Sequence, residues 1–174
     1  MHDARQDTRP DAAPSQAEFR KLMSRFATGV CVVSAKRADG AIAAMTINSF
    51  VSVSLEPLLV CWSLHNSASQ YDLFSQAPRF GISILAAEQG ELALRYAARG
   101  DAGKSAEDFT HTAHGQPVIA GAIGHFDCRL WAAHPAGDHT MLLGEVVDLA
   151  PRDMIDTSVP ALGFVNGQFC SVGE

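Results

Sequence analysis

Between Ala44 and Ser54 the chain reads Ala-Met-Thr-Ile-Asn-Ser-Phe-Val-Ser-Val-Ser, a strand-forming run threaded with hydroxyl and amide side chains. Val, Ile, Phe and Thr suit a pleated, half-buried surface. Thr46, Asn48, Ser49, Ser52 and Ser54 bring donors and acceptors that each cost about 1–3 kcal/mol if buried without a partner. Strict alternation would send every polar group to one face. Asn48 and Ser49 are adjacent, so one of them points inward unless the strand turns a corner there. Two readings follow: an ordinary antiparallel pair with its polar residues in water, or a segment whose polar groups meet a planar polar ligand.

The flanking sequence sets that segment among short strands. Asp39-Gly40, between Val30–Ser34 and Ile42–Ile47, has the composition of a tight hairpin turn. Phe50–Val53, a turn at Glu56-Pro57 and Leu58–Trp62 continue the pattern. Phe80–Leu85, about 124–133 and 139–149 read as further strands, and Asn166-Gly167 closes a terminal hairpin. Helices are few. Ser15 and Glu18 have capping-box spacing before Phe19, Leu22, Met23 and Phe26, predicting an amphipathic helix over 16–25 that ends at Thr28-Gly29. Ala68–Gln76 and Glu88–Ala98 read as two more, and 99–117 as a polar connection. The pattern predicts a mainly β chain with appended helices (α+β), arranged as a small barrel. Residues 1–14, charged and punctuated by proline, read as a flexible tail, and 15–174 as one domain.

Composition narrows the function classes. A chain of 174 residues buries about 70% of the surface its unfolded form exposes, enough for a real core. The net charge of -6 leaves no basic stripe for nucleic acid. Cys31, Cys61, Cys128 and Cys170 lack metal or redox spacing and read as reduced core residues. His111 and His114 lack the further ligands of a zinc site, so no metal is expected. Gly100–Ser105 has Lys-Ser but not the glycine spacing of a P-loop. A polar N-terminus and the lack of a long apolar run predict a cytoplasmic protein that does not engage a membrane.

Four blocks in order carry a resemblance: Phe19–Val30, Thr46–Pro57, Phe80–Ala86 and Gly137-Asp138-His139-Thr140. Over roughly 16–170 the chain resembles the flavin reductase-like proteins, the small reductase components of two-component flavin-dependent monooxygenases. The resemblance implies a split β-barrel of the FMN-binding type, a homodimer with flavin near the subunit interface, and FMN or FAD as cofactor with NADH or NADPH as co-substrate. A separate monooxygenase component is the implied partner. The implied flavin contacts are Thr46, Ile47, Asn48, Ser49 and Ser52, with Ser63, Ser67 and Ser69 toward the phosphate. Ser83 stands where the family usually has Asn, and Leu58 where it often has a second proline.

Physical chemistry supports these positions to different degrees. The edge of a flavin ring presents acceptors and a donor at fixed spacing, which Thr46, Asn48 and Ser49 can match. Ser67 and Ser69 stand at the start of a predicted helix, where backbone N–H groups favour phosphate, although an N-cap role for Ser67 needs no ligand. Lys104, or Arg99, either neutralises a phosphate or lies on a solvated loop. By resemblance His139 sits beside the nicotinamide, with the task of orienting it for hydride transfer. Two rivals share the barrel: a non-catalytic flavin-binding, storage or sensing protein, and an oxidase like the pyridoxamine phosphate enzymes, which needs clustered basic residues that this chain does not display.

Overall fold

A computed structural model describes residues 13–100, 103–151 and 158–173. The expected flexible tail falls mainly on residues 1–12, outside that range. Ser15 caps the first helix, α1 (Gln16–Met23): its Oγ accepts from the Glu18 N–H, and the Glu18 carboxylate accepts from the Ser15 N–H at 2.8 Å. Two strands of the opening region follow, β1 (Thr28–Gly29) and β2 (Cys31–Lys36). Thr28-Gly29, read as a helix stop, is therefore a short strand; it pairs with a distant partner near the C-terminus that local pattern does not reveal.

Next come β3 (Ile42–Ile47), β4 (Val51–Leu55), β5 (Leu58–His65), α2 (Tyr71–Gln76), β6 (Arg79–Ile84) and α3 (Gly90–Ala97). The expected polar connection over 99–117 holds a one-turn 3-10 helix (Ala106–Asp108) and β7 (Phe109–His111), paired with β8 (Pro117–Ile119). Two long strands, β9 (Gly124–Ala136) and β10 (His139–Pro151), form a hairpin, and β11 (Ala161–Val165) with β12 (Gln168–Val172) forms the last one. Helix α2 starts three residues later than the sequence pattern suggests, because residues 66–70 form turns rather than helix.

The main sheet has seven strands in the order β3-β2-β6-β9-β10-β5-β4, all antiparallel neighbours. Its two edges, β3 and β4, are consecutive in the chain but do not pair. A single buried cluster nonetheless contains Val33, Ala35 and Ala43 from one end of the sheet, Val60, Trp62 and Leu64 from the other, and Phe80, Ile82, Cys128 and Leu142 from the middle. Strands at opposite ends can share one core only if the sheet curls on itself. The result is a split barrel, open between β3 and β4.

Strand β2 is buried on both faces. Val33 and Ala35 face the barrel interior, while Val32 joins Leu85, Ala93, Tyr96 and Leu162 in a second core beneath α3 and the β1-β11-β12 sheet. Inside the barrel Trp62 meets Phe74 edge-on, with centroids 5.6 Å apart, and Phe80 at 5.9 Å. Gly144 lets Phe80 lie against β10: a Cβ there would stand 2.6 Å from Phe80 Cζ and 2.9 Å from Cys128 Cβ. Among the described residues no helix is long and apolar enough to cross a membrane.

Candidate functional site

The split is bridged by residues 48–50, which carry the chain from edge β3 to edge β4. Asn48 and Ser49 thus stand at a strand corner, which resolves why two polar residues can be adjacent in a strand-like run. Ser49 fastens the corner to β5: the Ser63 N–H donates to its Oγ at 3.0 Å, and that hydroxyl donates back to the Ser63 carbonyl at 3.4 Å.

A trench runs from this corner. Its first part, about 230 Å³, is lined by Thr46, Asn48, Ser49, Ser63, His65 and His139 among others. Its second part, about 350 Å³, shares Met45, Thr46, His65 and Ala68 with the first and continues past Ser67, Ser69 and Gln70 to Tyr96, Arg99 and Lys104. One end is rich in hydrogen-bonding groups and imidazoles. The other carries two cations, Arg99 and Lys104, and no acidic side chain among the described residues that line it.

Strand register brings the imidazoles together. His139 and His65 are direct cross-strand partners in the β10–β5 ladder, and their rings meet edge to face at 4.8 Å. The Asp138 carboxylate lies 2.7 Å from His139 Nδ1 and 3.9 Å from His65 Nε2. The hydrogen bond from His139 holds the Asp138 carboxyl below the usual carboxylate range. His65 Nδ1 accepts from the Ser67 N–H at 3.0 Å, which leaves the proton of a neutral ring on Nε2, toward Asp138.

The hairpin tip is fixed to the turn before α2 by Asn66. Its N–H donates to the Asp138 carbonyl at 2.9 Å, its Nδ2 donates to the Gly137 carbonyl at 3.2 Å, and its Oδ1 accepts from Thr140 Oγ1 at 2.9 Å. Gly137 sits in that tip at φ +66, a conformation that side chains rarely adopt. The two histidines are therefore held by backbone and amide contacts on both strands.

The structure gathers most of the residues singled out from sequence, with three amendments. Ser83 is fully buried, and its Oγ accepts from the Ile119 N–H at 2.8 Å, so it ties β6 to β8 and does not reach the trench. Ser52 is exposed on edge strand β4, opposite Val60, and does not line the trench. Ser67 is no N-cap: α2 begins at Tyr71, and the Ser67 hydroxyl lies 2.9 Å from His65 Nδ1. That later start also removes the helix end from any account of phosphate binding here.

Other positions acquire defined roles. Thr46 lines both parts of the trench but donates its hydroxyl hydrogen to the Ala93 carbonyl at 2.6 Å, leaving only oxygen lone pairs for a ligand. Ile47 is buried and forms part of the wall of the first part. Lys104 reaches back to the Ala98 carbonyl at 3.3 Å and lies over the Tyr96 ring, 5.8 Å from its centroid. Sequence reasoning missed His65, Gln70, Tyr96 and Asp138 as parts of one site. His65 carries no local signal; only its registry with His139 reveals it.

The donor set fits a phosphorylated planar ligand: cations and serine hydroxyls at one end, and hydrogen-bonding groups spaced along a strand edge at the other. Gln70, on the wall, also has an Oε1 that is buried without a hydrogen-bond partner. Comparison with known proteins points the same way. A family model described as "Flavin reductase like domain" matches residues 23–173. FMN reductase (NADH) SmoA of Agrobacterium fabrum is 46% identical over 135 residues, covering 78% of this chain and 76% of the relative. Among solved structures, the flavin reductase component BorF of a bacterial two-component tryptophan halogenase is 32% identical, with a TM-score of 0.81 over 92% of this chain and 99% of that one. The NADH:FAD oxidoreductase SgcE6 of Streptomyces globisporus, solved with NAD and FAD fragments, is 30% identical, with a TM-score of 0.81 over 90% and 92% of the two chains. A trench with this donor set, in a barrel matched over nearly its whole length, makes the chain a member of the flavin reductase-like family.

Proposed function

We propose that this chain is an NAD(P)H-dependent flavin reductase that binds FMN or FAD in the trench and supplies reduced flavin to a separate monooxygenase component. The observation that carries this reading is the polarity of the trench, with Arg99 and Lys104 at one end and the His65–His139 pair at the other, in a chain of this family. When bound, the flavin supplies two-electron chemistry, accepting hydride at its ring from the reduced nicotinamide.

The protein's own task is positioning. Asn48, Ser49 and Ser63 present donors and acceptors to the ring edge from a corner tied down at two atoms. Ser67, Ser69, Arg99 and Lys104 receive the phosphate. His139, its Nδ1 fixed by Asp138, offers Nε2 to the nicotinamide and orients it for transfer. Residues 15–174 act as one domain.

We further read the active form as a homodimer. Helix α1 buries none of its residues, and Phe19, Leu22 and Phe26 are 63%, 73% and 66% exposed. With Phe50, Val51 and Phe164, residues of α1 line an apolar groove of about 670 Å³ that also touches Asn48 and Ser49. A second copy covering it would close the corner end of the trench against water. A cytoplasmic location keeps the four free thiols reduced.

Anaerobic stopped-flow absorbance tests the reading. Protein with FMN or FAD is mixed with NADH or NADPH, and protein-dependent bleaching of the oxidised flavin band is expected. Measurable flavin binding without bleaching in any of the four combinations would instead make this a flavin-binding or storage protein.

A further inference from the structure

A second groove opens beside the cationic end of the trench. It measures about 280 Å³ and shares Gln70, Tyr96 and Lys104 with the first. Past those residues it runs between Arg37 and Ser105 to Phe109, and no acidic side chain lines it among the described residues. The Asp108 carboxylate, next to Phe109 in the chain, is engaged by Arg95, the Tyr96 hydroxyl and the Ser105 N–H.

Each wall of this groove is fixed. Arg37 lies at the β2–β3 hairpin, where its N–H donates to the Ala41 carbonyl at 2.8 Å. Tyr96 and Phe109 meet edge to face, with centroids 5.6 Å apart, and form an aromatic floor. Gln70 Nε2 donates to the Ala44 carbonyl at 3.3 Å and so joins the turn before α2 to β3. Lys104 stands at the junction, lining both spaces.

A mononucleotide ends at its phosphate, and the second part of the trench already has Arg99 and Lys104 for that group. A further cation, a hydroxyl and an aromatic floor beyond the junction match a second phosphate followed by a nucleoside. Resting on the flavin reductase reading, we infer that this groove takes the adenosine-phosphate half of a dinucleotide, with Arg37 pairing its phosphate. It would thereby discriminate dinucleotide from mononucleotide.

Equilibrium titration of the full chain with FMN and with FAD, in wild type, Arg37→Ala and Arg37→Lys, tests this. For a groove that serves the flavin, FAD binds about tenfold tighter than FMN, the scale of one charge-assisted hydrogen bond. That advantage vanishes in Arg37→Ala, survives in part in Arg37→Lys, and FMN affinity stays constant. A second arm compares the KM of NADH with that of reduced nicotinamide mononucleotide. If the groove serves the nicotinamide partner, FAD and FMN bind alike, and Arg37→Ala raises the KM of NADH about tenfold without moving that of the mononucleotide. Either pattern supports the site and names its occupant. The proposal is overturned if wild type shows no dinucleotide preference in either arm, if Arg37→Ala leaves the preference intact, or if it weakens both forms alike. A wild-type chain that binds no flavin at all refutes the underlying reductase reading instead, before any variant is made.

Discussion

Gly144→Ala tests whether the barrel interior is packed as tightly as the structure implies. The added methyl would sit 2.6 Å from Phe80 Cζ and 2.9 Å from Cys128 Cβ, against the 3.5–4.0 Å or so at which carbon atoms normally rest. Neither neighbour has room to retreat. Phe80 is fully buried against Trp62, and the Cys128 Cβ is attached directly to the β9 backbone. Overpacking of this kind costs about 1–3 kcal/mol, and two simultaneous clashes place it near the top of that range. Replacing glycine returns about 0.5–1 kcal/mol of backbone entropy. The net expectation is a loss of about 2 kcal/mol, or a fall in Tm of about 4–8 °C for a chain of this size. Urea and thermal unfolding followed by tryptophan fluorescence measure it. Gly90→Ala is the control: its new methyl meets Phe169 at an ordinary 3.6 Å in a helix, so it is expected to be neutral or slightly stabilising. If Gly144→Ala unfolds within about 0.5 kcal/mol of wild type, the close approach of Phe80 to β10 is wrong.

Four other outcomes are expected. Asp138→Asn removes the carboxylate that fixes His139 Nδ1, so the KM for NAD(P)H should rise severalfold while the flavin Kd stays within about twofold; equal changes in both would show that the pair only shapes the trench. Thr46→Val should cost about 0.5–1.5 kcal/mol through the lost bond to the Ala93 carbonyl yet barely change the flavin Kd, whereas Asn48→Ala should weaken flavin binding with little effect on stability; reversed effects in titration and urea unfolding would exchange their roles. Burial pushes the Cys31 and Cys128 thiols up to about 12, from an ordinary 9.0, so the folded protein should leave both unlabelled by a thiol reagent at mild alkaline pH. Because these folded-state values are raised, their contribution to stability is whole below about pH 9 and is lost as pH climbs toward 12; urea midpoints that rise over that range would contradict it. Phe26→Asp, which puts a charge into the apolar groove just beyond α1, should yield a monomer in sedimentation and weaken flavin binding; an unchanged sedimentation coefficient would remove the dimer from the account.

Where local chemistry decides structure, the sequence was legible. The Ser15–Glu18 box started α1, Asp39-Gly40 turned the β2–β3 hairpin with Gly40 at φ +85, and Asn166-Gly167 turned the last one. In each case a few neighbouring residues supply the needed hydrogen bond or dihedral angle. The same holds for the site in part: Asn48-Ser49 stood out as a break in alternation, and the break is the corner that carries the chain across the split.

A mainly β chain, its hairpins and the polar segment at the heart of the trench were thus written locally, because turns, caps and alternation depend on residues a few positions apart. Which polar groups remain available to a ligand is settled by long-range contacts instead. Ser83 spends its oxygen on Ile119 and Thr46 its hydrogen on Ala93, bonds spanning 36 and 47 residues, while cross-strand register sets His65 against His139 across 74 positions of sequence. A hydrogen bond satisfies whichever partner folding brings within reach, and that choice is made by the curl of the sheet rather than by any residue's neighbours in the chain.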